Sequence, residues 1–196
     1  MTEVIGRTTR LEAINTMLRN IGERQVATLV DSTRGDVAAA VSELNAISRA
    51  VQGEGWHWNY EKQELSPGTD KKISVPSNAL YAGVVGQAGY RDEVVLRGDY
   101  FYNKTDNTYL FTDDIEVEMV LQVSFEELPE EARQYIMIRA ARVLAQNRVG
   151  DQTIIQFSAA DEQMARVQLE TREMESGDYH VFQEYNLSRL HNPWLR

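Results

Sequence analysis

Apolar positions repeat with a helical period at the start of the chain. Leu11, Ile14, Leu18 and Ile21 stand at offsets 0, 3, 7 and 10, one stripe of a helix that the spacing predicts over 8–21. Thr8 or Thr9 can cap its start, and Gly22 follows its last apolar position, where a left-handed residue closes a helix. In the loop that follows, ERQVATLVDSTRGD, Val26 and Leu29 are placed to pack back on the helices. A second stripe, Val37, Val41, Leu44, Ile47 and Val51, predicts a helix over 36–52. Asp36 complements its dipole, Ala38, Ala39 and Ala40 permit a close neighbour, and Gly53 and Gly55 stop it.

From residue 56 to residue 123 the period changes to two. WHWNY alternates large apolar with polar residues and predicts a strand with Trp56, Trp58 and Tyr60 on one side and His57, Asn59 and Glu61 on the other. EVVLRGDYFYN reads as two short strands about Arg97 and Gly98, with a further turn at Asp106 and Asn107. IEVEMVLQVSF is the strongest strand, with Ile115, Val117, Met119, Leu121 and Val123 on one face and Glu116, Glu118 and Gln122 opposite.

Helical spacing then returns. Ser124 and Glu127 have capping-box spacing, and Pro129 suits a first helical position. The predicted helix runs through Tyr135, Ile136, Ala140, Val143 and Leu144 to Gly150. A fourth helix is predicted over 153–175, with Phe157, Ala160, Met164 and Val167 as its stripe and Gly177 as its stop. The last segment, DYHVFQEYNLSRLHNPWLR, is rich in aromatics for a free tail, and Pro193 works against a continuous helix. The predicted fold is α+β: an antiparallel helical bundle (1–55 and 124–177), an inserted small antiparallel β domain (56–123) and an extended C-terminal arm (178–196).

Composition narrows the chemistry. The 196 residues carry 20 basic and 30 acidic side chains, a net charge of −10, which argues against non-specific binding to nucleic acid. Cysteine is absent, so there is neither a disulfide framework nor a thiolate metal ligand. The first residues, MTEVIGRTTR, have no apolar signal core, and no apolar run is long enough to predict a membrane span. Synthesis in a cytoplasm is the expectation.

No catalytic, cofactor or metal site is expected. Trp56 and Trp58 would serve a sugar or a base as a platform, but aromatics at period two also cover a core, and that is the reading taken. The histidines His57, His180 and His191 have no metal-ligand spacing. Asp113, Asp114, Glu116 and Glu118 cluster, as do Glu126, Glu127, Glu130 and Glu131. A carbohydrate-acting hydrolase using an aromatic platform and such a carboxylate pair is the alternative function. Helix-start and solvent-face roles explain these acids more simply. There is no nucleophile elbow, P-loop or dinucleotide fingerprint. Arg97, Gly98 and Asp99 suit a hairpin turn, and the basic residues form no stripe. A plain monomeric binding module is the third possibility.

Three stretches carry a family resemblance: AINTMLRNIGERQVATL (13–29), AISRAVQGEGWHWNYEK (46–62) and ELPEEARQYIMIRAARVLAQNRVGD (127–151). Together with the length, they make the chain similar to the tail tubular protein A family of short-tailed phages of the T7 type, the head-to-tail adaptors. The β insert shares little of this likeness. The resemblance implies a dodecameric ring between the portal protein and the tail nozzle, which is built by tail tubular protein B, with a tail fibre as a further neighbour. Double-stranded DNA would pass through the lumen without specific binding, past acidic residues that repel phosphate. The C-terminal segment would reach onto portal subunits, with Phe182, Tyr185, Leu190 and Trp194 as anchors. Such a ring needs a heterologous contact that closes by rotation, and Tyr135, Ile138 and Arg142, off the main stripe of the third helix, are the candidates.

Overall fold

The fold is that of a computed structural model, which describes residues 6–29, 35–85, 93–148 and 152–177, the last with side chains from 159 onward. The expected helix stop at Gly150 and the whole arm 178–196 lie outside those residues. The chain is α+β. Its residues fall into two compact units, one formed by the chain up to Asn45 and from Leu128, the other by Ala46–Glu127.

In the first unit, α1 spans Arg10–Asn20. Thr9 is its cap: the Thr9 side chain accepts from the Glu12 amide at 3.2 Å, and the Glu12 carboxylate accepts from the Thr9 amide at 2.7 Å. Two otherwise orphaned donors are thereby satisfied. At the other end Gly22 sits at φ +76, its amide donating to the Arg19 carbonyl and the Glu23 amide to the Leu18 carbonyl. That pair of bonds needs a left-handed residue, which glycine adopts without a Cβ penalty. Ala13, Ile14, Met17 and Leu18 are fully buried. The chain after α1 is pinned by Asn15, whose side chain donates to the Val26 carbonyl and accepts from the Val26 amide.

Helix α3 (Glu130–Arg148) is the centre of this unit, and both α1 and α4 (Gln152–Gly177) pack on it. The capping-box spacing of Ser124 and Glu127 closes a short 3-10 turn, Phe125–Glu127, ahead of α3. Pro129 then precedes the first residue of α3, its carbonyl accepting from the Arg133 amide.

Helix α2 covers Gly35–Gln52, with Val37, Leu44 and Val51 buried and Gly55 at φ +74 just beyond its end. In the second unit, β1 (Tyr60–Leu65), β5 (Ile115–Leu121) and β2 (Ala79–Val84) form an antiparallel sheet in that order. β5 is central, pairing Tyr60 with Val120 on one side and Val84 with Val117 on the other. β3 (Val94–Arg97) and β4 (Tyr100–Asn103) form a hairpin that turns at Gly98, φ +63. The alternation expected of β5 is present: Ile115, Val117, Met119 and Leu121 join a core with Ile73, Phe101 and Phe111, while Glu116 is exposed.

The strand expected at WHWNY begins only at Tyr60. Residues 56–59 form a turn instead, because Asn59 has a better use for its amide than solvent. Asn59, 2% exposed, accepts from the Trp56 amide and donates to the carbonyls of Gln52 and Leu121. Gln52, fully buried, does the same for Val123, accepting from its amide at 2.8 Å and donating to its carbonyl at 3.1 Å. The two side-chain amides thus stand in for a neighbouring strand where the β5 ladder ends.

Candidate functional site

Trp56 lies inside and Trp58 is partly exposed. Trp56 is 6% exposed and donates from Nε1 to the Val51 carbonyl at 2.7 Å. The rings of Trp56 and Trp58 stack 6.4 Å apart at 6°. A sugar platform needs an open ring face on a surface, and Trp56 has none. Among the candidate acids, Asp113, Asp114 and Glu116 are exposed, and Glu118 accepts from the Tyr60 hydroxyl at 2.6 Å. His57 is exposed. Among the described residues no three His, Asp or Glu side chains are placed to hold a metal ion.

The most connected carboxylate is Glu130, at the start of α3. It accepts from the Thr8 amide at 2.8 Å, from the Thr8 hydroxyl and from Gln134 at 2.7 Å. Burial pushes its carboxyl up, but the hydrogen bonds from Gln134 and Thr8 and the charge of Arg133 outweigh it and hold it below the ordinary carboxylate range. Arg133, 4% exposed, donates to the carbonyls of Leu128 and Thr8. This network ties the chain ahead of α1 to α3.

The surface of α3 and α4 holds the residues expected at a ring contact. Tyr135 is 5% exposed, with the guanidinium groups of Arg166 and Arg139 at 5.4 Å and 5.9 Å from its ring. Arg142 is half-buried and pairs with Glu162, which also takes Arg139 at 3.8 Å. Ile138 lines an open concavity of about 580 Å³ with Arg19, Asn20, Ala141, Asp161 and Met164. Ile138 and Arg142 therefore lie at or near the surface, whereas α4 covers Tyr135.

The apolar stripe read on α4 faces outward: Met164 is 62% and Val167 50% exposed, and Ala160 is exposed too. Among the described side chains of α4 the buried ones are Ala165 and Leu169, at 5% and 2%. A pair of small and medium residues suffices for close approach to α3, leaving the larger stripe outside. The side chain of Phe157 lies outside those described, as do the arm anchors Phe182, Tyr185, Leu190 and Trp194. Sequence reasoning missed Met174, 64% exposed, which extends the same stripe seven residues beyond Val167; its spacing was readable.

The comparisons with known proteins bear on these surfaces. A family described as tail tubular protein matches residues 11–179. Tail tubular protein A of Klebsiella phage KP34 is 29% identical over 126 residues, which is 64% of this chain and 66% of that protein. The match thus spans just under two thirds of that curated relative's length.

Proposed function

We infer, from the premise that this chain belongs to the tail tubular protein family, that it is the head-to-tail adaptor of a short-tailed phage. The family makes it a structural component of the phage tail. The finer reading is a homo-oligomeric ring, dodecameric as in the adaptors it resembles, joining the portal to the nozzle of tail tubular protein B. DNA passes through its lumen during ejection. The observation that carries this reading beyond the family is the set of large apolar side chains left outside both units. Tyr81, Tyr109 and Leu110 of the β unit and Met164, Val167 and Met174 of α4 are each 38% exposed or more. Surfaces of this kind are made for neighbours.

In this reading the ring contact on α3 runs through Ile138 and Arg142, with Tyr135 supporting them from beneath α4. The segment 178–196 docks on portal subunits through Phe182, Tyr185, Leu190 and Trp194. The net charge of −10 suits a channel that DNA crosses without sticking. Synthesis takes place in the host bacterial cytoplasm and the final location is the virion tail. Among the described residues no helix is long and apolar enough to cross a membrane. Electron micrographs of the purified protein mixed with its portal test the reading. Rings stacked on the portal are expected; portals that stay bare beside free protein would overturn it.

A further inference from the structure

The β unit has two outer faces of opposite character. Its sheets share one core: Val94 and Phe101 of the β3–β4 hairpin and Ala82, Val117 and Met119 of the three-stranded sheet all turn into it. Side chains alternate along a strand, so the neighbours of these residues face outward. On the hairpin those are Arg97, Tyr100 and Tyr102; on the sheet they are Lys62, Glu64, Tyr81, Glu116 and Glu118.

The hairpin face is aromatic and cationic. Arg97 lies 3.8 Å over the Tyr102 ring, Lys72 lies 5.3 Å over the Tyr100 ring, and Tyr109 meets Tyr102 edge-on with centroids 4.8 Å apart. Tyr100 and Tyr109 are each 38% exposed, and Arg97 is exposed. A guanidinium stacked on a ring is pre-organised, with its N–H donors at the rim free to take a carboxylate. Among the described residues neither Arg97 nor Lys72 forms an ion pair.

The sheet face is acidic. Glu64 and Glu116 stand directly opposite across β1 and β5, both exposed, and Glu118 is on the next rung between Lys62 and Gly83. Like charges directly opposite on a ladder are unfavourable, and among the described residues no cation pairs with Glu64 or Glu116. Gly83 gives this face its floor. A Cβ there would stand 2.5 Å from the Tyr81 hydroxyl, so the missing side chain lets the Tyr81 ring lie over Gly83, 51% exposed.

We propose that the hairpin face of one copy docks on the sheet face of the next, with Arg97 and Lys72 meeting Glu64 and Glu116 over Tyr81. The occupant is a second copy because the chain itself carries both halves of the match. In a chain of net charge −10, an unpaired cationic face is also what lets copies approach. The two faces are separate surfaces of one compact unit, so the contact joins unlike patches and is heterologous. The proposal rests on the reading of the chain as a ring subunit and adds a contact between β units to the one read on α3.

Charge reversal tests it on the full chain by sedimentation velocity. Wild type is expected to associate, and less strongly as salt rises. Lys72→Glu with Arg97→Glu is expected to lower association about tenfold or more, and so is Glu64→Lys with Glu116→Lys. An equal mixture of the two variants is expected to associate again: the reversed hairpin of one suits the reversed sheet of the other, and their two native faces match as well. Wild-type association by either variant alone, or a mixture no more associated than its parts, would overturn the proposal. Should a reversal unfold the chain, Arg97→Gln and Glu116→Gln replace it, each expected to lower association measurably; no change from both would overturn the proposal. Association that ignores every one of these variants leaves the ring reading in place on the α3 contact. A wild type that stays monomeric at every concentration overturns the proposal, and its absence from phage tails would count against the ring reading as well.

Discussion

Helices α1 and α4 make similar statements in sequence and opposite ones in space. Each has an apolar stripe at helical spacing. In α1 the stripe turns inward, with Ile14 and Leu18 fully buried. In α4 it turns outward, with Met164 and Val167 at 62% and 50% exposure, and the packing falls to Ala165 and Leu169. Periodicity identifies a face; it does not say whether that face belongs to the chain's own core or to a neighbour. An amphipathic helix has one sided stripe and one solvated side, whereas α4 has two sides that can each be covered.

Truncating the two stripes tests this difference most strongly. Leu18→Ala should lower the unfolding free energy by about 2–5 kcal/mol, read by chemical denaturation. A loss below about 1 kcal/mol would mean that α1 is less deeply packed than its burial shows. The closure of α1 comes next. Gly22→Ala places a Cβ at φ +76 and should cost about 1 kcal/mol or more, measured the same way.

Acid should then loosen the α1 side selectively. The Glu130 carboxyl is held below its ordinary value of about 4.3, so the folded state binds fewer protons than the unfolded one near that pH. Its contribution is therefore complete above the unfolded value and is lost as pH falls through the lower folded value. Thermal midpoints of wild type and Glu130→Gln should differ by a constant amount above about pH 5 and converge as pH falls through the lower folded value. Parallel curves would remove the Thr8 and Gln134 network from the account. The smallest effect belongs to the outward stripe: Met164→Ala should shift the stability of the isolated monomer by no more than about 0.5 kcal/mol. A loss comparable to that of Leu18→Ala would erase the contrast between the helices.

Much of the fold was legible because its signals are local. The Thr9 cap, the Gly22 closure, the β3–β4 turn at Gly98 and the alternation of β5 each depend on residues a few positions apart. The turn at 56–59 was not, because two of the partners that satisfy Asn59 and Gln52, Leu121 and Val123, lie more than sixty positions away. For a sequence reader, Asn59 between two large aromatics looks like the polar half of a strand. Its burial is decided by partners that the local pattern does not contain. The ring-contact candidates divide in the same way. Ile138 lines an open concavity, but Tyr135 is covered by α4, and no spacing within α3 announces that cover.

By itself the sequence determined where α1 begins and ends, which strand carries the alternating core face, and that the tail tubular family claims residues 11–179. These follow from steric and hydrogen-bonding preferences over a few residues, which every chain with that local order shares. Only the tertiary structure decided which apolar face goes inside. That choice depends on the fit of whole surfaces: Ala165 and Leu169 let α4 close onto α3, which leaves the stripe from Ala160 to Met174 on the outside.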